Sequence, residues 1–391
     1  MVYCGIDDFG WVLFAPHARC LHFELTMHNS LGTFITRALL KDGPSVLVST
    51  HGVWRDATSI CPTIAHWLTG RVTLASLLDE RMPEVHPSEI LKWLAPSDLQ
   101  PIKAFGVTFV NSLLERLVEE IAHGDESEAE TIRSQFETGF KEEITGLMPG
   151  SDAALELRDR LMAVGRWSPY LEVGLGSDPE IFTKCPPMAA LGHGSVGGLL
   201  AESEWNNPES ELVLVCDSAG NAVGATIGND INLRDIEGRS ALLLGRAKDN
   251  RGSCVIGPWI RIFDDQFNLD TLKNESITLD VAGNDGFAVS ESAPLNGLAR
   301  GFNALIEALF DQHDYPDGVL AFTGSPIAPT WDRGQAGSGF THREGDTVRI
   351  SIPSIGILEH QIARCDGIEP WDEGLLELME NLSRRGFLEG D

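Results

Sequence analysis

The stretch Asn207-Pro-Glu209-Ser-Glu211-Leu-Val-Leu-Val215, continued by Gly228-Asn-Asp230 and closed by Lys248, decides how the rest of the chain is read. Val213-Leu-Val215 is an apolar β run, and in a strand residues two apart share a face, so Glu209 and Glu211 project side by side. Asp217-Ser-Ala-Gly220-Asn221 reads as a turn into a second strand, Val223 to Ile227, which returns Asp230 to the pair. Carboxylates that close repel unless a positive charge lies between them, and a hard divalent cation is the usual solution. The alternative is an acidic edge strand facing solvent. An earlier pair, Glu202-Ser-Glu204, competes for the ligand role. Glu209 and Glu211 are preferred because a β run follows them directly, whereas Asn206-Asn-Pro208 interrupts after the first pair.

The totals bound the function. A chain of 391 residues holds about two domains, or one large domain with an appendage. Its formal charge of −29 repels nucleic-acid phosphates and anionic lipid, so neither partner is expected. An anionic substrate must then be drawn in by a local positive feature such as a metal. No segment has the apolar length of a membrane span, and no basic, apolar signal opens the chain. The seven cysteines are scattered without a CxxC pair, which argues for reduced thiols in a cytoplasmic setting and against a zinc–cysteine site.

The reading along the chain gives an α+β protein. Residues 1–31 form an N-terminal extension whose Cys and His spacing matches no ligand pattern. Residues 32–96 form a small β-rich N-terminal domain, and proline-punctuated text, Leu94-Ala-Pro-Ser-Asp-Leu-Gln-Pro101, marks the boundary to a larger domain at 97–391. In the latter, Phe105 to Phe109 is a strand leading into a helix from about Asn111 to Ala122, with apolar residues at a 3.6-residue period. An acidic, helical insertion over about 117–165 could cover a site. Short strands follow, among them Leu171-Glu-Val173, Ile181 to Thr183, Ser253 to Ile256, Trp259 to Phe263 and Thr347 to Ile352. Helices are expected at about Leu295 to Phe310 and Asp372 to Arg384. Forty glycines and twenty prolines fit such a β-dominated body.

Several marks stand in an order that resembles the fumarylacetoacetate hydrolase superfamily. They are Gly106-Val-Thr-Phe109 before a helix, Phe182-Thr-Lys184-Cys-Pro186, the Glu-x-Glu pair, and Gly228-Asn-Asp230-Ile-Asn-Leu-Arg-Asp235. Ala247-Lys248 before Gly257-Pro258-Trp259, Thr323-Gly-Ser-Pro326, and Gly345-Asp346 running to Ile355-Gly356-Ile-Leu358 complete the set. The resemblance covers roughly residues 100–365 and implies a mixed β-roll with a metal in its mouth. Trp205-Asn-Asn-Pro-Glu and Asn232-Leu-Arg-Asp-Ile-Glu-Gly-Arg-Ser240 are similar to a subgroup of 2-keto-3-deoxy-pentonate dehydratases of non-phosphorylative pentose catabolism. Hydrolases of the superfamily carry a His-x-x-Glu pair that activates water. Here the matching text is Ser112-Leu-Leu-Glu115, which removes the histidine and keeps a carboxylate.

On this reading the residues take roles as follows. Glu209, Glu211 and Asp230 hold Mg²⁺, with Mn²⁺ an alternative; Lys248 takes a C3 proton or steadies an enolate, the other reading being a salt bridge to a ligand carboxylate; Glu115 protonates the departing hydroxyl, or else lies on a solvated helix face. Thr323 and Gly324 orient the substrate carboxylate or form a plain turn, Lys184 adds positive charge or closes a surface pair, Ser112 faces the substrate, and Arg234 and Asp235 brace the turn carrying Asp230. The substrate is a small 2-keto acid, and by analogy the protein is a homodimer. Two other readings stay open from the residues: a C–C hydrolase of a 2,4-diketo acid or acylpyruvate, and a non-catalytic sugar-acid binder.

Overall fold

The computed structural model describes residues 32–121, 143–334 and 339–388. The expected N-terminal extension, and residues 122–142 of the expected insertion, lie outside the described residues. Three strands open the described chain: β1 (Thr33–Leu40), β2 (Gly43–Thr50) and β3 (Val53–Asp56). β4 (Lys92–Leu94), β5 (Ile102–Gly106), β6 (Glu180–Cys185), β7 (Val196–Leu199) and β8 (Asn206–Asn207) follow. The central part of the chain supplies β9 (Ser210–Cys216), β10 (Ala222–Asp230), β11 (Asn232–Leu233) and β12 (Cys254–Ile262). The remaining strands are β13 (Ser276–Ala282), β14 (Ala288–Pro294), β15 (Val319–Phe322), β16 (Thr347–Ile352) and β17 (Gly356–Arg364).

A ten-stranded sheet runs β3-β2-β1-β12-β10-β9-β15-β5-β6, with β4 on β1. Its ladders are antiparallel except for β15 on β5. A five-stranded sheet, β14-β13-β16-β17-β7, packs against it, and a short β11–β8 ribbon bridges the site region. Leu212, Leu214, Ala225, Ile227 and Val255 of the large sheet meet Leu279, Val281, Val348, Ile350 and Leu358 of the small one in a buried core. The fold is therefore the mixed α+β roll, without a closed barrel.

Three expectations are corrected. The strands of residues 32–96 do not stand apart: Phe34 and Ile35 pair with Arg261 and Ile260, so the large sheet runs straight through the expected boundary. Leu171 to Val173 is helical, within Pro169–Leu175; Ser168 caps it by accepting from Leu171 N–H, and Pro169 suits the first turn. The two strands expected at Ser253 to Phe263 are one strand, Cys254–Ile262, buried throughout. A solvated strand, β14, was hidden by its polar text. No helix among the described residues is long and apolar enough to cross a membrane.

Candidate metal centre and active site

The acidic cluster is built by the β9–β10 ladder. Glu211 lies opposite Gly228 and Ser210 opposite Asn229, which carries Asp230 to the end of β9 where Glu209 enters it. Asp230 N–H donates to Glu209 O at 3.0 Å, and Glu209 N–H donates to Asn229 Oδ1 at 3.0 Å. Gly228 has to be small, because a Cβ there would fall 2.2 Å from Phe322 Cε1. One oxygen from each of Glu209, Glu211 and Asp230 lies within 4.8 Å of the others.

Electrostatics show what the cluster lacks. Burial, then the neighbouring Asp230 and Glu209, push the Glu211 carboxyl well above the usual range, although Gly324 N–H donates to its Oε2 at 2.6 Å. Lys248 Nζ bridges Glu209 Oε2 at 2.5 Å and Asp230 Oδ2 at 3.2 Å. Burial would lower the lysine, but Asp230, Glu209 and Glu237 outweigh it and hold the ammonium charged. Lys184, fully buried, sits 2.8 Å from Asp230 Oδ1 and also donates to the carbonyl of Lys248. Three converging carboxylates, one of them pushed toward its neutral form by the other two, are the donor set of a hard divalent cation.

Across the pocket stands a second carboxylate group. Glu180 lies opposite Gly106 in the β5–β6 ladder, and a Cβ at 106 would fall 1.8 Å from Glu180 Oε2. Burial, then Glu237, raises the Glu180 carboxyl to about 7, against the pull of Lys248 and Arg116. Glu237 is buried too, which would raise it, yet Arg116 and Lys248 hold it down at about 2. Arg116 Nη2 spans Glu209 Oε1 at 2.9 Å and Glu237 Oε2 at 3.2 Å, tying the helix Val110–Ile121 to the cluster. Phe182 closes one wall, its ring centre 5.9 Å from Lys248 Nζ.

The structure gathers some of the expected residues and sets others aside. Glu209, Glu211, Asp230, Lys248, Ser112 and Gly324 all line one pocket. Glu202, from the competing pair, is instead exposed and paired with Arg246. Thr323 and Lys184 do not line the pocket. Thr323 Oγ donates to Leu212 O at 3.0 Å, and its carbonyl accepts from Thr108; it therefore shapes the turn that presents Gly324. Lys184 lies behind Asp230 as a brace. Glu115 is half-buried on the helix but does not line the pocket, whereas Arg116 does. Residues four apart on a helix lie closer to one face than residues three apart, so Ser112 brings Arg116 inward rather than Glu115. Arg234 Nε donates to Asn207 Oδ1 at 2.6 Å, and Asp235 accepts from Ser203 Oγ and Glu204 N–H, bracing the β8–β11 ribbon.

Three pocket residues escaped the sequence reading: Glu180, Arg116 and Glu237. A signal for the first was present, since Glu180 and Phe182 alternate on one face of β6. Nothing local marks Glu237, whose role depends on a cation from a distant helix.

With this geometry in hand, the likeness to known proteins can be weighed. The family model for the fumarylacetoacetate (FAA) hydrolase C-terminal domain matches residues 207–363. A 2-dehydro-3-deoxy-D-arabinonate dehydratase of Saccharolobus solfataricus is 34% identical over 180 residues, 46% of this chain and 57% of that protein. The chain thus spans little more than half the length of that relative. Protein Rv2993c of Mycobacterium tuberculosis is 31% identical over 198 residues, 48% of this chain and 68% of that one. A solved 2-keto-3-deoxy-D-arabinonate dehydratase, complexed with magnesium and 2,5-dioxopentanoate, superposes with a TM-score of 0.58 at 21% identity, covering 85% of this chain and 99% of that one. The matched segment contains the carboxylate trio, Lys248 and Gly324 in the roll just described, and the chain belongs to the fumarylacetoacetate hydrolase family.

Proposed function

We propose that this protein dehydrates a 2-keto-3-deoxy-pentonate to 2,5-dioxopentanoate, with Mg²⁺, or Mn²⁺, held by Glu209, Glu211 and Asp230. The observation that carries the reading is Glu180, a carboxyl raised to about 7 that faces Lys248 and the trio across one small pocket. No histidine lines that pocket among the described residues. A proton donor and a positive charge are therefore on hand without the histidine that activates water in related hydrolases. The named relatives agree: one is a dehydratase of such an acid, and a solved dehydratase of this fold holds magnesium and the dioxo acid.

A divalent ion in the trio supplies Lewis-acid polarisation of a keto oxygen, which acidifies the adjacent C3–H. Lys248 Nζ, paired with Glu209 and Asp230 as an ammonium, is placed to take the C3 proton only as the neutral amine, after it has given its own proton to solvent. Glu180 gives its proton to the C4 hydroxyl, so the C4–O bond breaks and water leaves; this role passes to Glu180 from Glu115. The C3–C4 double bond then shifts by tautomerisation, moving hydrogen from C5 and leaving the terminal aldehyde. Ser112 and Gly324 line the pocket and position the acid, while Phe105 and Phe182 limit water at the reacting carbons. A homodimer in a reducing, cytosol-like compartment belongs to the same reading, and suits the five unpaired cysteines among the described residues.

The test supplies 2-keto-3-deoxy-pentonate of either C4 configuration with Mg²⁺ and follows the semialdehyde. Formation of that product without C–C cleavage is expected. No turnover of either epimer, together with cleavage of an acylpyruvate, overturns the reading in favour of a hydrolase.

A further inference from the structure

A buried polar pair links the two sheets directly behind the metal centre. Along β10, Gly228 and Asp230 face the cluster, so Asn229 between them points the other way, toward the small sheet. There β17 presents His360, and Asn229 Nδ2 lies 2.9 Å from His360 Nε2. Both residues are buried, Asn229 at 0% and His360 at 1% exposure. Behind the ring β7 approaches so closely that a Cβ on Gly197 would lie 3.2 Å from His360 Nδ1. Leu358 and Ile362, its same-face neighbours on β17, belong to the apolar core between the sheets.

The hydrogen-bond roles in this pair have one consistent solution. His360 Nδ1 lies 3.0 Å from Gln361 O, an acceptor only, so Nδ1 carries the hydrogen and Nε2 is left to accept. Asn229 must then turn its NH₂ toward the ring and its Oδ1 the other way. That Oδ1 is the acceptor for Glu209 N–H at 3.0 Å. Glu209 follows Pro208 and precedes the first residue of β9, so a side chain rather than a backbone carbonyl receives its N–H. A buried amide in an apolar layer costs on the order of 1–3 kcal/mol when left unpaired, which makes the orientation of Asn229 depend on the imidazole acceptor.

We infer that His360 is a positioning residue for the metal centre: through Asn229 it fixes the backbone of Glu209 and hence the place of that carboxylate in the trio. The inference rests on the metal reading given above. It predicts that removing the acceptor at Nε2 lets the Asn229 amide turn, puts an NH₂ against Glu209 N–H, and loosens one ligand of three. Outer partners of this kind are worth roughly 10–100-fold in metal affinity.

The test titrates Mn²⁺ alone into the full-length protein stripped with chelator, reading bound ion by electron paramagnetic resonance, with near-ultraviolet circular dichroism as the check on folding. His360→Leu is expected to weaken Mn²⁺ binding about tenfold. His360→Gln, whose side-chain oxygen can accept at the Nε2 position, is expected to stay within about threefold of the parent. Asn229→Ala is expected to weaken binding at least as much as His360→Leu, and adding His360→Leu to it should cost nothing more. Unchanged affinity in His360→Leu, or equal losses in the Leu and Gln variants, overturns the relay. If His360→Leu does not fold, Asn229→Ala decides alone: unchanged affinity there removes the link to Glu209. A parent protein that binds no Mn²⁺ would instead remove the metal reading itself, which separates the two failures.

Discussion

Gly106 and Glu180 face one another across β5 and β6 with no room for a side chain between them: a Cβ at position 106 would lie 1.8 Å from Glu180 Oε2. The glycine is the floor on which the proposed acid rests. Gly106→Ala is therefore expected to displace the carboxylate and lower kcat about a hundredfold, in line with the usual worth of a positioned general acid. Circular dichroism and Mn²⁺ binding should stay close to the parent values. An alanine variant of full activity would show that Glu180 is not the acid.

The raised Glu180 carboxyl also sets a pH dependence. The donor form is the protonated one, populated below about 7 and lost above it. The kcat/KM for dehydration should be level on the acid side of that value and fall toward tenfold per pH unit beyond it. Glu180→Gln should abolish this limb along with about a hundredfold or more of the rate. A profile that keeps the same alkaline limb in Glu180→Gln would assign the titration to another group.

Burial, then Asp230 and Glu209, push the Glu211 carboxyl above its usual range. Binding a divalent ion, which favours the carboxylate, should therefore release a number of protons that falls as pH rises. Calorimetric titrations in two buffers of different ionisation enthalpy measure that number. The same ion should stabilise the fold by roughly 2.7 kcal/mol at a hundred times its dissociation constant. A melting temperature unmoved by saturating Mg²⁺ and Mn²⁺ would contradict the site.

Lys184 is buried under Asp230, 2.8 Å from Oδ1, and so acts on the ligand rather than on substrate. Lys184→Met leaves Asp230 buried beside one cation fewer. The expected cost is on the order of 3–5 kcal/mol of stability, read by urea denaturation, with a weaker metal site in whatever folds. Substrate KM measured at saturating metal should barely move; a large KM change with unchanged stability would restore a substrate-binding role.

Two histidines, His360 buried and His193 half-buried, contribute to the acid sensitivity of the fold. Loss of solvent around the rings lowers both from 6.5 to about 4. In the unfolded chain they take up protons below about 6.5, and in the native state only below about 4. Their contribution is thus complete above 6.5 and is lost as pH falls through that window, up to about 3 kcal/mol each. Thermal melting between pH 7 and 4 checks this, and His360→Gln should flatten part of the slope.

Much of this was legible in the text of the chain. The Glu209–Glu211 spacing, the β run after it and the turn before Val223 depend on neighbours two to ten residues apart, where the two-residue period of a strand operates. The marks around Lys248 and Gly324 were legible as a resemblance. Errors arose where a residue's duty depends on what packs against it. Lys184 and Thr323 sit in strongly marked stretches, yet each faces away from the substrate space. Leu171-Glu-Val173 reads as a strand until Ser168 and Pro169 are weighed as a helix start.

The sequence by itself determined the β run and the Glu209–Glu211 spacing, because period-two alternation is a local property of the chain. The roll, the proposed metal trio and the lysine were legible through ordered short motifs that resemble a family. Only the tertiary structure set Glu180 apart as the carboxyl proposed to be the acid. Glu115 and Glu180 are alike as residues, and what separates them is whether a second element removes water and brings charge. Glu180 lies over Gly106, beside Glu237, Arg116 and Lys248, which come from four separated segments. Burial and the summed field of distant charges shift a titration, and neither is written into the residues on either side.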